Sequence, residues 1–473
     1  MRFSAASTAA RLLPEPLAVR ARPLLDKIDS LLFTADERGQ AGRASLTAFS
    51  IRVASAAIAF VSQILMARWM GGFDYGIFVL VWTVMVMVGD VSCLGFQSSV
   101  VRFIPEYRER NRPAELRGVI QASRVFVLVS STLIAAAGLA GVWLFSDAIE
   151  SYYVVPFYLG IACLPIIAVS NLMEGMARAN SWAVLALAPI YILRPLLILA
   201  LMVGAILAGY APSAQVAVAC AIVATLATTL YQVAAIMPPA AREVRGERPR
   251  YRVREWATVS LPIFLVDGFF YMHTNADVLM IGWFMQPDDV AVYFAALKLL
   301  ALVHFVYFAV RAGVAHRYAQ YAHGGDRERL AVFARETVSW TFWPSLALGA
   351  AMLAVGKPML TLFGEGFDAG YPLLFVLMGG VIARAFVGPA ESLLTMSGHQ
   401  NVCAAVYGGT LAVNLALNVA LIPVWGLWGA ATATAVAMGA EAALLAYTVY
   451  RRLGIVMLVP FGRARADAEA EAR

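Results

Sequence analysis

Charged residues are scarce in this chain of 473 amino acids: they make up 14% of it, while 61% is hydrophobic. Soluble globular domains carry about 25% charged and about 45–50% apolar residues. So few charges cannot form a water-facing surface around so much apolar side chain. The composition therefore excludes a soluble domain and indicates a polytopic membrane protein.

Cysteine and enzyme motifs are also nearly missing. The four cysteines, Cys93, Cys163, Cys220 and Cys403, lie in apolar segments without metal-ligand spacing, so we expect buried, reduced side chains. The chain has no P-loop, no GxSxG, no HExxH and no Gly-rich nucleotide turn. The sequence thus predicts no enzyme, no cofactor and no metal. Any transport must draw on an ion gradient or on consumption of the substrate on the far side.

What the chain does have is long apolar runs. A membrane-spanning helix needs about 20 apolar residues, and about twelve such runs are present. They begin near Ser45, Tyr75, Val119, Tyr152, Trp182, Ser213, Trp256, Val290, Glu336, Tyr371, Asn401 and Gly426. Because the runs are continuous rather than alternating, they favour helices over a β-barrel. We predict an all-α fold with about 12 transmembrane helices.

Positive charge is concentrated in alternate connections. The formal charge is +6, and its arginines and lysines lie mainly in residues 2–43, 102–117, 242–254, 317–335 and 451–465. Positive residues accumulate in cytoplasmic loops, so this pattern predicts both termini in the cytoplasm and gives no reason to expect a nucleic acid partner. An even number of spans follows.

Two internal matches indicate a duplication. Leu65–Trp69 (LMARW) resembles Leu279–Trp283 (LMIGW), and Asn171–Asn180 resembles Ser392–Asn401. The arginine-rich run 237–255 lies between the two copies, on the side of both termini. We therefore predict two six-helix lobes, related as parallel repeats about a pseudo-twofold axis, around a central cavity.

The predicted boundaries follow from these repeats. They are a cytoplasmic N-terminal segment (1–44), an N-lobe (45–237), a basic linker (238–255), a C-lobe (256–454) and a C-terminal tail (455–473). The N-terminal segment is equally consistent with a short helix on the membrane surface and with a disordered tail.

Several stretches resemble a known family. Val61–Gly71, continuing into Asp74-Tyr75-Gly76, and Val101–Tyr107 resemble the opening of Wzx-type polysaccharide and O-antigen flippases, relatives of MATE exporters and MurJ-type flippases. Asp277–Gly282 and Tyr293–Lys298 resemble the family's seventh and eighth spans. The resemblance implies two lobes whose central cavity opens alternately to either side of a bacterial inner membrane.

The resemblance also implies a function. The protein would translocate an isoprenoid-(pyro)phosphate-linked oligosaccharide for lipopolysaccharide O-antigen or exopolysaccharide synthesis. Its partners would be that lipid-linked oligosaccharide, membrane lipid and other polysaccharide-assembly proteins.

Basic residues inside predicted spans are candidates for binding the substrate phosphate. A charge at the centre of a spanning helix costs about 2.5–3.5 kcal/mol, so retained charges usually face a cavity. Arginine binds phosphate through two parallel hydrogen bonds, and lysine supplies a point charge. The candidates are Arg52, Arg124, Arg194, Lys298 and Arg384, with Arg311 as a further member. The alternative for each is a side chain that reaches the membrane interface.

Embedded acidic residues are candidates for coupling to an ion or proton. Asp90, Asp277 and His273 are the predicted coupling residues. His273 and Asp277 are four residues apart and can meet on one helix face, which would form a His–Asp relay. The alternatives are an aspartate neutralised by a nearby cation and a packed histidine.

Three other functions are consistent with the sequence. A MATE-like cation-coupled multidrug exporter would favour acidic over basic cavity residues, but here embedded bases are as numerous as acids. A membrane-bound polymerase would need a long outer loop, and the outer loops are short. A MurJ-type flippase tends to carry two further spans after the second lobe.

Overall fold

The computed structural model describes residues 37–244, 246–323 and 326–459, and every regular element in these ranges is a helix. Most of the predicted N-terminal segment and most of the predicted C-terminal tail lie outside the described residues. The two alternatives for the N-terminal segment therefore stay open.

The helices fall into two sets of similar size. The first set is α1 (Glu37–Val91), α2 (Phe96–Glu109), α3 (Pro113–Leu144), α4 (Ser151–Ala162), α5 (Leu164–Ala179), α6 (Ala183–Ala188), α7 (Arg194–Leu207) and α8 (Ala214–Glu243). The second set is α9 (Val253–Phe284), α10 (Pro287–His323), α11 (Arg327–Thr361), α12 (Tyr371–Ala385), α13 (Ala390–Met396), α14 (Gln400–Trp425) and α15 (Leu427–Leu453).

These helices form twelve membrane crossings. In the described ranges, nine helical segments are long and apolar enough to span, and α4 with α5, bent by 45°, makes a tenth. The first of the nine, Val53–Glu109, reverses at Gly71 and so supplies two crossings. Helix α9 has 32 residues, enough for about 48 Å of helix, and we count it as the twelfth. The protein is a multi-pass membrane protein, and the expected all-α fold is confirmed.

The reversal inside α1 is set by Gly71. Its φ of 77° lies in the left-handed region that glycine adopts readily. Tyr75 donates a hydrogen bond to Oε1 of Gln63 at 2.7 Å although the two residues are 12 apart. A straight helix would separate them by about 18 Å, more than both side chains can bridge. The chain therefore folds back at Gly71, between the first two spans.

The same contact recurs in the second set of helices. Tyr293, which begins the second predicted span there, donates to Oδ2 of Asp277 at 3.2 Å. Asp277 stands two residues before Leu279, as Gln63 stands two residues before Leu65. Both tyrosines are fully buried. The two lobes thus repeat one tyrosine contact, with a carboxylate in the second where the first has an amide.

Three hydrophobic cores show how the lobes are arranged. One core joins both lobes, combining residues 66–85 of α1 with residues 290–303 of α10. A second core contains first-lobe residues and Trp256 at the start of α9. The third core contains second-lobe residues, among them Val314 and Leu330, and three residues that follow α15: Ile455, Met457 and Val459. The arginine-rich helix ends belong to the second and third cores, and we call this end the basic face. The lobes share a core at the opposite end, and toward the basic face the start of α9 packs on the first lobe through Trp256 and Ser260.

Close backbone approach holds the joined end together. A Cβ added to Gly76 would lie 1.8 Å from the carbonyl oxygen of Pro287, which begins α10. A Cβ on Gly282 of α9 would lie 2.5 Å from Leu80 of α1. Only residues without a side chain allow the lobes to pack this closely. The four cysteines are buried and free, as expected.

Candidate functional site

A charged cluster lies inside the second lobe of the described structure. Arg384 on α12 places Nη1 at 2.5 Å from Oε1 of Glu441 on α15, whose side chain is completely buried. Its Nη2 donates to the hydroxyl oxygens of Tyr307 (3.2 Å) and Tyr407 (3.3 Å). The guanidinium also lies 4.7 Å from the ring centroid of Tyr307, a cation–π distance. A buried cation is thus held by one carboxylate and two phenols.

His273 contacts the same carboxylate from the opposite side. Its Nε2 lies 3.2 Å from Oε2 of Glu441. One of the two alternatives for His273 was a pair with Asp277 on its own helix, and the structure places His273 against Glu441 instead. Asp277 is instead surrounded by hydrogen-bond donors from neighbouring helices. The pair that forms joins two helices, α9 and α15.

The cluster continues toward the basic face through a second carboxylate. Tyr307 donates a hydrogen bond to Glu391 on α13. Arg311, one turn further along α10, places Nε at 3.4 Å from Oε1 of Glu391, and its side chain is 44% exposed. The cluster therefore combines two arginines with two glutamates and runs from a fully buried site to a half-exposed one.

Asp277 forms a separate site with oxygen-rich surroundings. Its carboxylate accepts hydrogen bonds from Thr434 (2.6 Å), Tyr293 (3.2 Å) and Asn418 (3.2 Å). The amide of Asn418 also contacts Oδ1 of Asn414 at 3.1 Å, and its own Oδ1 is buried without a partner in the described structure. One carboxylate, two amides and two hydroxyls are thus gathered in one buried place.

Asp90 lies where the first lobe meets α9. Gln97 on α2 donates to Asp90 (3.3 Å) and to Asp267 of α9 (3.2 Å), so one amide joins two carboxylates. Ser98 donates to Asp267 at 3.0 Å, and Asn171 donates to Asp90 at 3.4 Å. This contact connects the lobes through side chains that are all uncharged or acidic.

Two other predicted cations, Lys298 and Arg194, have different neighbours. Lys298 on α10 places Nζ 4.2 Å from the ring centroid of Phe294 and forms no ion pair with any described residue. Arg194 is buried in the first lobe and donates to Ser170 at 2.9 Å, while the Ser170 hydroxyl contacts Gln232 at 2.8 Å. Lys298 is therefore an uncompensated charge, whereas Arg194 belongs to a polar contact between helices.

The remaining two predicted cations are Arg124 and Arg52. Arg124 is exposed on α3 and lines a pocket at the basic face. The side chain of Arg52 lies outside the described part of the chain. We expected the five cations to converge on one cavity, and the four with described side chains instead occupy four different places. Of these four, only Arg384 belongs to the charged cluster, and the further candidate Arg311 belongs to it as well.

Several members of these sites escaped the sequence analysis. Tyr307 and Tyr407 were not distinguishable from the other tyrosines of apolar spans. Asn414 and Asn418 did carry a signal, because two amides four residues apart share one face of a helix. Amides in an apolar span need partners, so this pair could have indicated a polar site.

Comparison with known proteins gives the family. A model of polysaccharide biosynthesis proteins matches residues 42–315, more than half of the chain. The chain belongs to the polysaccharide biosynthesis protein family. A second model, MatE, matches residues 262–420, which include most of the charged cluster. The expected relationship to polysaccharide flippases and MATE exporters is confirmed.

A curated relative is the probable low-salt glycan biosynthesis flippase Agl15 of Haloferax volcanii, 24% identical over 190 residues. The alignment spans 38% of each chain. An inward-facing multidrug resistance MATE family transporter of the MOP superfamily has a TM-score of 0.68 at 15% identity, with 86% of this chain and 94% of that one covered. The lipid II flippase MurJ in an inward closed conformation has a TM-score of 0.66 at 12% identity, with 85% and 87% covered. The likeness to these structures shows the fold, a membrane bundle of two six-helix lobes.

Proposed function

We propose that this family member is a flippase. It moves an isoprenoid-(pyro)phosphate-linked oligosaccharide across a bacterial inner membrane, from the cytoplasmic to the outer leaflet, by alternating access. The basic face is then the cytoplasmic face, and both termini lie there. Family membership and the glycan flippase among the relatives support this proposal.

The observation that carries the proposal is the buried guanidinium of Arg384. A lipid-linked sugar must bring a phosphate or pyrophosphate through an apolar region, and a guanidinium offers two parallel donors to such a group. Glu441 occupies Arg384 in this conformation. An entering phosphate would replace Glu441 as its partner, while His273 keeps a contact with the released carboxylate. Tyr307 and Tyr407 would offer ring faces and hydroxyls to the sugar.

Lys298 would supply the second positive charge. It lies on α10, two to three turns from Tyr307, and no described carboxylate neutralises it. An ammonium without a counterion in an apolar interior is costly, and an anionic ligand would remove that cost. We assign Arg384 and Lys298 to the phosphate of the substrate at two successive positions along its path, and we leave Arg194 to the helix contact it makes in the first lobe.

We further propose that Asp277 is the ion-coupling residue. Hard cations prefer oxygen ligands, and Asp277, Asn414, Asn418 and Thr434 offer carboxylate, amide and hydroxyl oxygens. A single carboxylate matches one positive charge, so the site suits a sodium ion. Asp90 would couple this event to the lobe contact through Gln97 and Asp267.

A deletion strain tests the proposed function. Cells without the gene should lose surface polysaccharide and accumulate the lipid-linked precursor on the cytoplasmic side. Wild type and Arg335→Gln, which removes an exposed arginine at the basic face, should restore export. Arg384→Gln should not, and Arg384→Lys should restore it partly. Normal polysaccharide in the deletion strain would contradict the proposal, and so would precursor on its outer leaflet.

The MATE-like exporter remains the second candidate because the MatE model matches residues 262–420, which include Glu391 of the charged cluster. Buried carboxylates suit cationic drugs. Drug sensitivity of the deletion strain, with unchanged polysaccharide, would favour that function.

A further inference from the structure

A two-part pocket lies at the basic face of the first lobe, away from the charged cluster. Its smaller part has a volume of about 190 Å³ and lies between α3, the end of α8 and the chain that follows α8. Arg117, Gln121 and Arg124 line it from α3, and Ala241, Val244 and Gly246 line it from the other side. This part is small, polar on one wall and close to the membrane surface.

The larger part is apolar and has a volume of about 780 Å³. Gln121 and Arg124 line both parts, so the two are continuous. Helices α2, α3, α5, α8 and α9 surround the larger part, with Phe96, Leu172 and Val233 among its walls. On α3, Val125 is 64% exposed and Val129 is 51% exposed. The pocket therefore has a cationic mouth and an apolar interior that opens toward lipid.

The mouth carries positive charge without a matching carboxylate. Arg124 forms no ion pair with any described residue, and Arg117 donates to the backbone carbonyl of Glu247. The nearest acidic residue along α3, Glu115, is already paired with Arg250 (3.7 Å) and Arg252 (3.3 Å). A phosphate at this mouth would meet two guanidiniums, and arginine is well suited to bind phosphate.

We propose that this pocket binds one anionic glycerophospholipid from the leaflet at the basic face. Its phosphate lies against Arg124 and Arg117, and an acyl chain fills the apolar part. A free phosphate would leave the larger part unfilled, and a neutral lipid would leave two cations unpaired. The pocket is lined by the first lobe and the start of α9, whereas Arg384 and Glu441 lie in the second lobe. The bound lipid therefore lies beside the transport path and is distinct from the substrate.

The bound lipid would stabilise the position of the chain that connects the two lobes, between α8 and α9. The chain between α8 and α9 is fixed to α3 by the backbone bond from Arg250 to Ala114 (2.9 Å) and by the bond from Tyr251 to Gln121 (3.1 Å). Gln121 and Tyr251 also line the pocket. A lipid there contacts both sides of this connection. We expect it to stabilise the folded protein.

Native mass spectrometry of the purified full-length protein tests the proposal. Phosphatidylglycerol and phosphatidylcholine are added separately, and the fraction of protein that retains one lipid is measured. Wild type should retain phosphatidylglycerol at least tenfold better than phosphatidylcholine. The double variant Arg117→Gln/Arg124→Gln should lose this preference. Arg335→Gln, which removes an exposed arginine at the same face of the other lobe, should keep it.

A second variant distinguishes loss of the lipid site from a folding defect of the double variant. Val129→Trp places a large ring in the apolar part and leaves both arginines intact, and it should also lower retention of phosphatidylglycerol. Unchanged retention in both variants would overturn the proposal, as would equal retention of the two phospholipids by wild type. Displacement of phosphatidylglycerol by millimolar inorganic phosphate would show an anion pocket only. Displacement by equimolar farnesyl diphosphate would assign the pocket to the carrier lipid. Either displacement overturns the proposal.

Discussion

Arg384 is a buried cation whose charge is balanced by the carboxylate of Glu441. A buried ion pair contributes little net stability, because both groups lose their hydration. Removing one partner, however, leaves the other charge buried and uncompensated. The Arg384–Glu441 pair is therefore poor at stabilising the fold and well suited to exchange partners. Exchange with an anionic substrate would use that property.

Arg384→Gln alone should destabilise the protein by about 3–5 kcal/mol, because Glu441 then stays buried without its cation. The double variant Arg384→Gln/Glu441→Gln should unfold within about 1 kcal/mol of wild type, because no charge is left unpaired. Both should fail to export precursor. Unfolding midpoints of the purified proteins and complementation of the deletion strain check this. Export by the double variant at the wild-type level would show that the pair is structural only.

Asp277 has an equivalent residue in the first lobe, and a comparison of the two indicates why position 277 carries a charge. The equivalent position in the first lobe is Gln63, which accepts the same tyrosine bond without a charge. A carboxylate is therefore not needed to hold that tyrosine in place. The carboxylate of Asp277 therefore has another role in the second lobe, and we propose that this role is cation binding.

Sodium should raise the unfolding temperature of wild type, since an ion that binds only the folded state stabilises it. Asp277→Asn should abolish that increase, because the amide removes the charge that the ion neutralises. Asp90→Asn should keep it, since Asp90 is held by Gln97 and Asn171 at the lobe contact. The readout is the unfolding temperature with sodium chloride against the same concentration of choline chloride. Equal sodium effects in wild type and Asp277→Asn would exclude this site.

At the scale of elements, the sequence predicted the helices better than their partners. Continuous apolar runs gave the spans, and nine of the twelve predicted starts lie within four residues of a helix start or of the Gly71 reversal. The connection after the second span was predicted as a loop and is mostly helical, because Gly95, with φ of 80°, restarts the chain as α2. The pairing of His273 with Glu441 could not be predicted, since sequence spacing shows only neighbours on one helix.

Gly76→Ala should weaken the joined end of the two lobes. The new methyl group would overlap the carbonyl oxygen of Pro287, and overpacking of this kind costs about 1–3 kcal/mol. We expect a lower unfolding temperature and slower export. Gly141→Ala is the matched control, because a Cβ there meets nothing within 4 Å and alanine favours helix. An unfolding temperature for Gly76→Ala equal to that of Gly141→Ala would show that the lobes do not meet as closely as described.

At the scale of the whole molecule, the three cores describe one state of a two-lobed carrier. The shared core joins the lobes at the end opposite to the basic face, and the second core adds a contact between the first lobe and the start of α9 at the basic end. The sequence predicted two lobes because the internal repeat and the distribution of positive charge are both features of the sequence itself. It could not give the state, since that depends on which helix faces touch across the lobes.

The claim on which the account depends is that Arg384 and Lys298 bind the phosphate of a lipid-linked substrate. The most direct measurement is the affinity of the purified protein for farnesyl diphosphate, compared with farnesol, for wild type and for Arg384→Lys and Lys298→Gln. We expect the diphosphate to bind wild type at least tenfold more tightly than the alcohol, because charged hydrogen bonds contribute about 1.5–3 kcal/mol. Each substitution should reduce that difference. Equal affinity of wild type for diphosphate and alcohol, or a difference that both substitutions leave intact, would contradict the account.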